Sequence, residues 1–237
     1  MSVKRFIIAL LVVGAMLAMQ AQHADGSYVD YLRAELVKTW PKNRTINIVF
    51  HGHSVPSGYA NTPVVNTLGA YPHLVLHAVK ERYHNAVVNV ITTSIGGEQS
   101  EQGAKRFGSE VLCHRPDLLF IDYALNDRSI GLERARKAWE KMIKQALKKG
   151  IKVVLMTPTP DLTENILDDN AVLEQHSQQI RELAAKYHIG LVDSYAEFKS
   201  LAKQGEDIKK YMSQSNHPNA EGHKVVLKAI EKWVASR

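Results

Sequence analysis

The strongest constraint on this chain is the texture of its apolar segments. Five short runs, at residues 46–50, 87–91, 118–123, 153–157 and 190–192, are rich in Val, Ile, Leu or Phe and hardly alternate with polar residues. A strand with one face in water alternates, whereas a strand covered on both faces reads as a continuous apolar run. Between the runs lie helical patterns, at residues 71–83, 132–149, 171–187 and 220–234. The second of these carries Ala135, Ala138, Trp139, Met142, Ile143, Ala146 and Leu147 at helical spacing and stops at Gly150, a residue type that closes helices. Strands alternating with helices predict an α/β fold built on a parallel sheet.

In such a sheet the strand C-termini share one edge, and ligands bind there. The residues just beyond each run are therefore informative. The first run leads into His51-Gly-His-Ser54, the second into Thr92-Thr-Ser-Ile-Gly96-Gly97-Glu98, the third into Ala124-Leu-Asn126-Asp127 and the fourth into Pro158-Thr-Pro160-Asp161. The last leads through a helical stretch to Ser213-Gln-Ser-Asn-His217-Pro218. These residue types meet the needs of acyl transfer. A hydroxyl nucleophile needs a base, usually imidazole, and the tetrahedral intermediate needs preorganised donors. Ser54 supplies an Oγ and a backbone N–H, Gly97 an unobstructed N–H, Asn126 a side-chain amide and His217 a base.

Taken together, these residues resemble the SGNH (GDSL-like) hydrolase family over nearly the whole chain past its first two dozen residues. Asn126-Asp127 is similar to that family's Gly-x-Asn-Asp block, and Asn216-His217-Pro218-Asn219 with Gly222-His223 to its C-terminal block. The resemblance implies a three-layer α/β/α sandwich with a five-stranded parallel sheet, flavodoxin-like in strand order. It also implies an esterase with Ser54 as nucleophile, His217 as base, and Ser54, Gly97 and Asn126 as oxyanion hole. No cofactor and no metal are expected. The chain departs from the family at three places. The Asp of Gly-Asp-Ser is His53, the Gly of Gly-x-Asn-Asp is Ala124, and the acid three residues before the His is Gln214. A Ser–His dyad is therefore expected, oriented by Gln214 or a backbone carbonyl. Asp193 and Asp207 are substitute acids unsupported by spacing.

Each residue alone has an ordinary explanation: Ser54 as a helix cap, Gly96-Gly97 as a turn, Asn126-Asp127 as a cap or Asx-turn, His217 as a surface histidine. His51 and His53, with His223 or Asp127, offer a weaker metal-binding alternative. An α/β-hydrolase elbow fails because Pro56 stands where its second Gly belongs, and no Gly-Lys-Ser/Thr supports a phosphate loop. Glu98, Asp127 and Tyr59 are candidate substrate contacts. The stretch 59–71 has no clear period and reads as a loop over the active edge. The lone Cys113, just before an apolar run, reads as a packed thiol.

Lys4 and Arg5, the apolar stretch 6–18 and small residues at Ala18 and Ala21 have the order of a secretory signal peptide. Residues 1–22 are read as that signal, 23–237 as one hydrolase domain, and the product as exported, periplasmic or extracellular. No Cys follows the apolar run, which excludes a lipid anchor at that point. Without Lys4 and Arg5 the formal charge falls from +6 to +4, with the basic residues scattered. That pattern does not suggest nucleic acid, and no stable membrane association is expected once a signal is removed. The partner expected is an acylated small molecule or carbohydrate, most often acetylated. A lipid or thioester acylhydrolase is the enzymatic alternative, and a degenerate glycan-binding protein, suggested by Gln214, the other.

Overall fold

The structure, a computed structural model, describes residues 24–235; the expected signal segment lies outside the described residues. Strand β1 (Thr45–Gly52) pairs in parallel with both β2 (Val87–Thr92) and β3 (Leu118–Asp122). The sheet continues through β4 (Lys152–Met156) to β5 (Gly190–Val192), giving the order β2-β1-β3-β4-β5, all parallel. All five expected runs are strands, and the order is the flavodoxin-like one. Connections leave β1 toward one side of the sheet and β3 toward the other, so a crevice opens between the C-termini of β1 and β3.

Alternate residues of each strand feed two cores. Ile46, Ile48 and Phe50, with Leu118, Phe120, Val154, Met156 and Val192, pack against helices α1 (Asp30–Leu36), α3 (Tyr71–Arg82), α8 (Ser194–Lys203) and α9 (Ala220–Val234). Val49, Leu119, Ile121, Val153 and Leu155 pack against α4 (Ser100–Glu110), α6 (Gly131–Lys148) and α7 (Val172–Lys186). This is the three-layer sandwich. It explains why β1, β3 and β4 lack alternation, since both of their faces are covered, whereas the edge strand β2 is partly open to solvent. Phe50 and Phe120, neighbours in register, stack with centroids 4.5 Å apart and brace the central strand pair. Two short helices, α2 (Ser54–Ser57) and α5 (Ala124–Asp127), sit at the crevice, directly after β1 and β3.

Local chemistry fixes the ends. Gly150 has φ +74°, its N–H donates to the Leu147 carbonyl and that of Ile151 to Ala146, a left-handed cap that closes α6 where the sequence places it. Helix α4 is less legible because it contains Gly103 and Gly108. It starts instead on a capping box, with Gln99 accepting from Glu101 and Gln102 N–H and the Gln102 side chain accepting from Gln99 N–H. Cys113 is exposed, on the short turn Leu112–His114, and is not the packed thiol expected; the turn lifts it off the core ahead of β3. At the opposite edge from the crevice, the N–H of Ala24 donates to the carbonyl of Ile189, just before β5 begins.

The two glycines of α4 differ. A Cβ on Gly103 would stand 2.4 Å from the buried Tyr123 ring, whereas one on Gly108 meets nothing within 4 Å. Gly103→Ala is expected to cost about 1–3 kcal/mol through overpacking. Gly108→Ala is expected to gain about 0.5–1 kcal/mol through helix propensity. Urea unfolding of the two variants checks the contrast.

Candidate functional site

Ser54 is the first residue of α2, immediately beyond β1, and only 7% exposed. His53 caps this helix, its Nδ1 accepting the Val55 N–H at 3.2 Å. Gly58, at φ +91°, closes it after one turn. Such tightness needs Gly52 beneath, because a Cβ there would lie 2.4 Å from the Asp122 carbonyl oxygen and 2.9 Å from Pro56. The hydroxyl of Ser54 therefore projects from a fixed turn at the strand edge.

His217 arrives from a different direction. Residues Met212–Gln214 and His217–Pro218 form a small antiparallel pair, β6 and β7, in which Gln214 lies opposite His217. His217 Nε2 stands 2.7 Å from Ser54 Oγ, and the Gln214 side-chain nitrogen contacts His217 Nδ1. Burial lowers the His217 pKa from the usual imidazole value, His53 nearby lowers it further, and Asp161 opposes them. Neither Asp193 nor Asp207 orients this ring. Asp193 accepts from Arg181 and Thr157, and Asp207 caps the turn Ile208–Tyr211.

Gly97 and Asn126 face the same crevice from the ends of β2 and β3. The Glu98 N–H donates to the Ile95 carbonyl, a turn that places Gly97 at φ +77°, a conformation favouring glycine. Among the described residues, the N–H groups of Ser54 and Gly97 donate no hydrogen bond. Asn126 Nδ2 donates one hydrogen to the Glu98 carbonyl at 2.9 Å, which orients the amide and leaves its second hydrogen uncommitted.

Three substrate contacts expected from sequence divide. Tyr59 lies at the mouth, 39% exposed, its ring 6.1 Å from that of His217 and inclined by 26°. It fits there because Gly96 beneath it has no Cβ to meet its hydroxyl. Glu98 is corrected: its carboxylate turns inward to Arg106 (Nε–Oε1 2.8 Å) and the Tyr123 hydroxyl (2.7 Å), since a buried carboxylate needs such partners. Asp127 is corrected likewise, its two oxygens accepting from Ser100 N–H at 2.8 Å and Trp139 Nε1 at 2.7 Å. Burial nevertheless pushes its pKa up to about 6. The metal alternative loses its geometry too. His51 contacts Thr93 Oγ1 and the Gly103 carbonyl on the α4 side, while His53 caps α2, so the two rings serve separate networks.

Some features had no sequence signal. Asp161 pairs with Arg128 at 2.7 Å, Arg128 also reaches Glu164, and the Leu162 N–H donates to the Ser215 carbonyl, tying the β4 loop to the His217 loop. Asp122 is buried behind Ser54, 3.4 Å from His53. The connection 59–70 exposes Val64, Val65 and Leu68, held out by the Tyr59–Val65 bridge and by the Asn66 N–H donating to Gly58.

The chain is similar to several known proteins. The profile of the GDSL-like Lipase/Acylhydrolase family matches residues 50–225. The uncharacterized lipoprotein YqeF of Bacillus subtilis (strain 168) is 33% identical over 86 residues, 33% of this chain and 35% of that protein. Among solved structures, a two-domain esterase (CEX) active on acetylated mannans superposes with TM-score 0.71 at 19% identity, covering 92% of this chain and 55% of that one. Axe2, an acetylxylan esterase from Geobacillus stearothermophilus, gives TM-score 0.71 at 16% identity, covering 85% and 97%. These two likenesses are of fold.

The inward role of Asp127 is open to a stability test. Asp127→Asn sets an amide N–H against one of the two N–H donors. It is expected to destabilise the fold by about 1–3 kcal/mol, the cost of an unsatisfied buried donor, in denaturant unfolding.

Proposed function

The chain belongs to the GDSL-like lipase/acylhydrolase family, and on that premise we propose that it is a serine esterase acting through an acyl-Ser54 intermediate. The observation that carries this reading is the 2.7 Å contact between His217 Nε2 and Ser54 Oγ across 163 residues of sequence. His217 takes the Ser54 proton as Oγ attacks the ester carbonyl, delivers it to the leaving alcohol, and then activates the water that releases the acyl group. Charge on the carbonyl oxygen is met by the N–H of Ser54, the N–H of Gly97 and the free amide hydrogen of Asn126.

Gln214 takes the place of an orienting acid. A carboxamide can offer its nitrogen or its oxygen to Nδ1. With the nitrogen there, as seen, the ring proton sits on Nε2 and points at Ser54. With the oxygen there, Nδ1–H donates to Gln214 and Nε2 is free to accept, which is the reactive tautomer. The uncharged amide steadies the ring but supplies no counter-charge to the imidazolium, so turnover is modest.

Short acyl esters, chiefly acetyl, on carbohydrate are the proposed substrates. The exposed Tyr59 ring beside His217 offers a platform for a sugar face, and Axe2 and CEX carry acetylated polysaccharide in their names. One observation favours a second reading, a lipid or other apolar ester. Val64, Val65 and Leu68 are 54%, 47% and 69% exposed on the connection that carries Tyr59. The signal-like N-terminus and the partial match to a lipoprotein support export.

Fluorophosphonate labelling is expected on Ser54 and lost in Ser54→Ala, with ester turnover lost alongside. In a p-nitrophenyl ester series, acetate is expected to exceed octanoate by about tenfold or more in kcat/KM, the scale of methylene discrimination in a small pocket. The reverse preference selects the lipid reading. No labelling and no turnover in folded protein defeats the enzymatic one.

The pH profile provides a further check. His217 acts only when neutral, and its lowered pKa keeps it neutral into mild acid. The acidic limb of kcat/KM is therefore expected below about 6.5, the value of a free imidazole. Gln214→Asp places a carboxylate against Nδ1, which favours the imidazolium and is expected to move the limb upward.

A further inference from the structure

Behind the nucleophile lies a polar cluster that the mechanism above does not use. His53 is 1% exposed and Asp122 3%. His53 Nδ1 accepts the Val55 N–H, so that nitrogen carries no proton and the ring proton is on Nε2. Nε2 faces Asp122 Oδ1 at 3.4 Å. Neither atom has a hydrogen-bond partner among the described residues. The other carboxylate oxygen, Oδ2, accepts from the Tyr71 hydroxyl at 2.8 Å, and the Tyr71 N–H in turn donates to His223 Nδ1 at 3.3 Å. The carboxylate is thus held from one side by Tyr71 and presents its free oxygen to the ring that caps the Ser54 turn.

A buried donor and a buried acceptor, each otherwise unpartnered and facing one another, belong together, because leaving either alone is costly. The backbone sets up the meeting. Gly52 and Asp122 are register partners at the ends of β1 and β3, so the residue after Gly52 is delivered beside Asp122. Asp122 has no Lys or Arg among its ion-pair partners in the described residues, and its one ion-pair contact is His53. A carboxylate buried with so little compensation is costly unless its free oxygen is engaged.

We propose that His53 and Asp122 form a positioning pair for the nucleophile: Asp122 holds the His53 ring, and Nδ1 of that ring holds the turn on which Ser54 stands. The Asp that the family carries next to its Ser is then not lost. Its carboxylate enters from the neighbouring strand, through an imidazole. The pair touches no substrate and acts through the direction of Ser54 Oγ and the Ser54 N–H. The inference rests on the reading of Ser54 as nucleophile.

The test combines the native protein with three variants. In ¹⁵N spectra of the native protein, His53 is expected as the Nε2–H tautomer; the Nδ1–H tautomer overturns the proposal without any substitution. Asp122→Asn removes the carboxylate's charge and sets an amide N–H against either Nε2–H or the Tyr71 hydroxyl, and His53→Ala removes the cap. Each is expected to slow fluorophosphonate labelling of Ser54 and kcat by about tenfold or more, with KM within about twofold, the pattern of an interaction felt in the transition state. His53→Asn restores an acceptor for the Val55 N–H and is expected to recover part of the loss seen in His53→Ala. Native labelling rates in Asp122→Asn or His53→Ala, in protein that melts like the native one, overturn the proposal. If the native protein is itself unlabelled, the esterase reading fails instead, and the tautomer still reports on the pair.

Discussion

The close approach of β1 and β3 at Gly52 and Asp122 governs the rest of the molecule. A parallel sheet needs its neighbours in register, and here the last pair in register is a glycine against an aspartate. With no Cβ at Gly52, the Asp122 carbonyl comes within a distance that any side chain would forbid. The chain can then turn at once into α2, bringing Ser54 to the crevice rather than beyond it. Asn126 leaves β3 at the same level. Phe50 and Phe120, stacked one layer below, make the junction stiff. A shift of either strand by one residue would exchange its two faces between the cores and take Ser54 and Asn126 apart.

The site is a set of backbone directions as much as a set of side chains. Gly97 contributes through a left-handed turn, Ser54 through the first N–H of a one-turn helix, and His217 through a two-strand pairing that also fixes Gln214 beside it. Only Asn126 and His217 present functional groups at any distance from the main chain. Both are restrained, the first by the Glu98 carbonyl and the second by Gln214. Preorganisation of this kind costs nothing at the moment of reaction, because the entropy was lost on folding.

The architecture was legible because burial on both faces leaves an unmistakable apolar texture, and all five runs became strands within a residue or two. Helix α4 was obscured by its glycines, one of which is there for the Tyr123 ring and not for flexibility. Ser54, Gly97 and Asn126 could be named because each lies beyond a strand, and parallel strands end together; His217, carried on β7, was named from its base chemistry and the resemblance of its block to the family. Glu98 and Asp127 misled for the same reason: position at a strand end does not say which way a carboxylate points, and Arg106, Ser100 and Trp139 took those two inward. Asp122, at a strand end itself, reads in sequence as one more residue of an apolar run, and only the fold sets it beside His53. The Arg128–Asp161 pair joins residues 33 apart, a separation at which sequence carries no pairing signal.

The Ala24–Ile189 hydrogen bond gives the molecule a front and a back. Ala24 is tied to the N-terminal edge of β5, and the crevice opens at the C-terminal edge of the sheet. The full length of the strands separates the two. Ala24 is thereby fixed on the side of the sheet remote from Ser54.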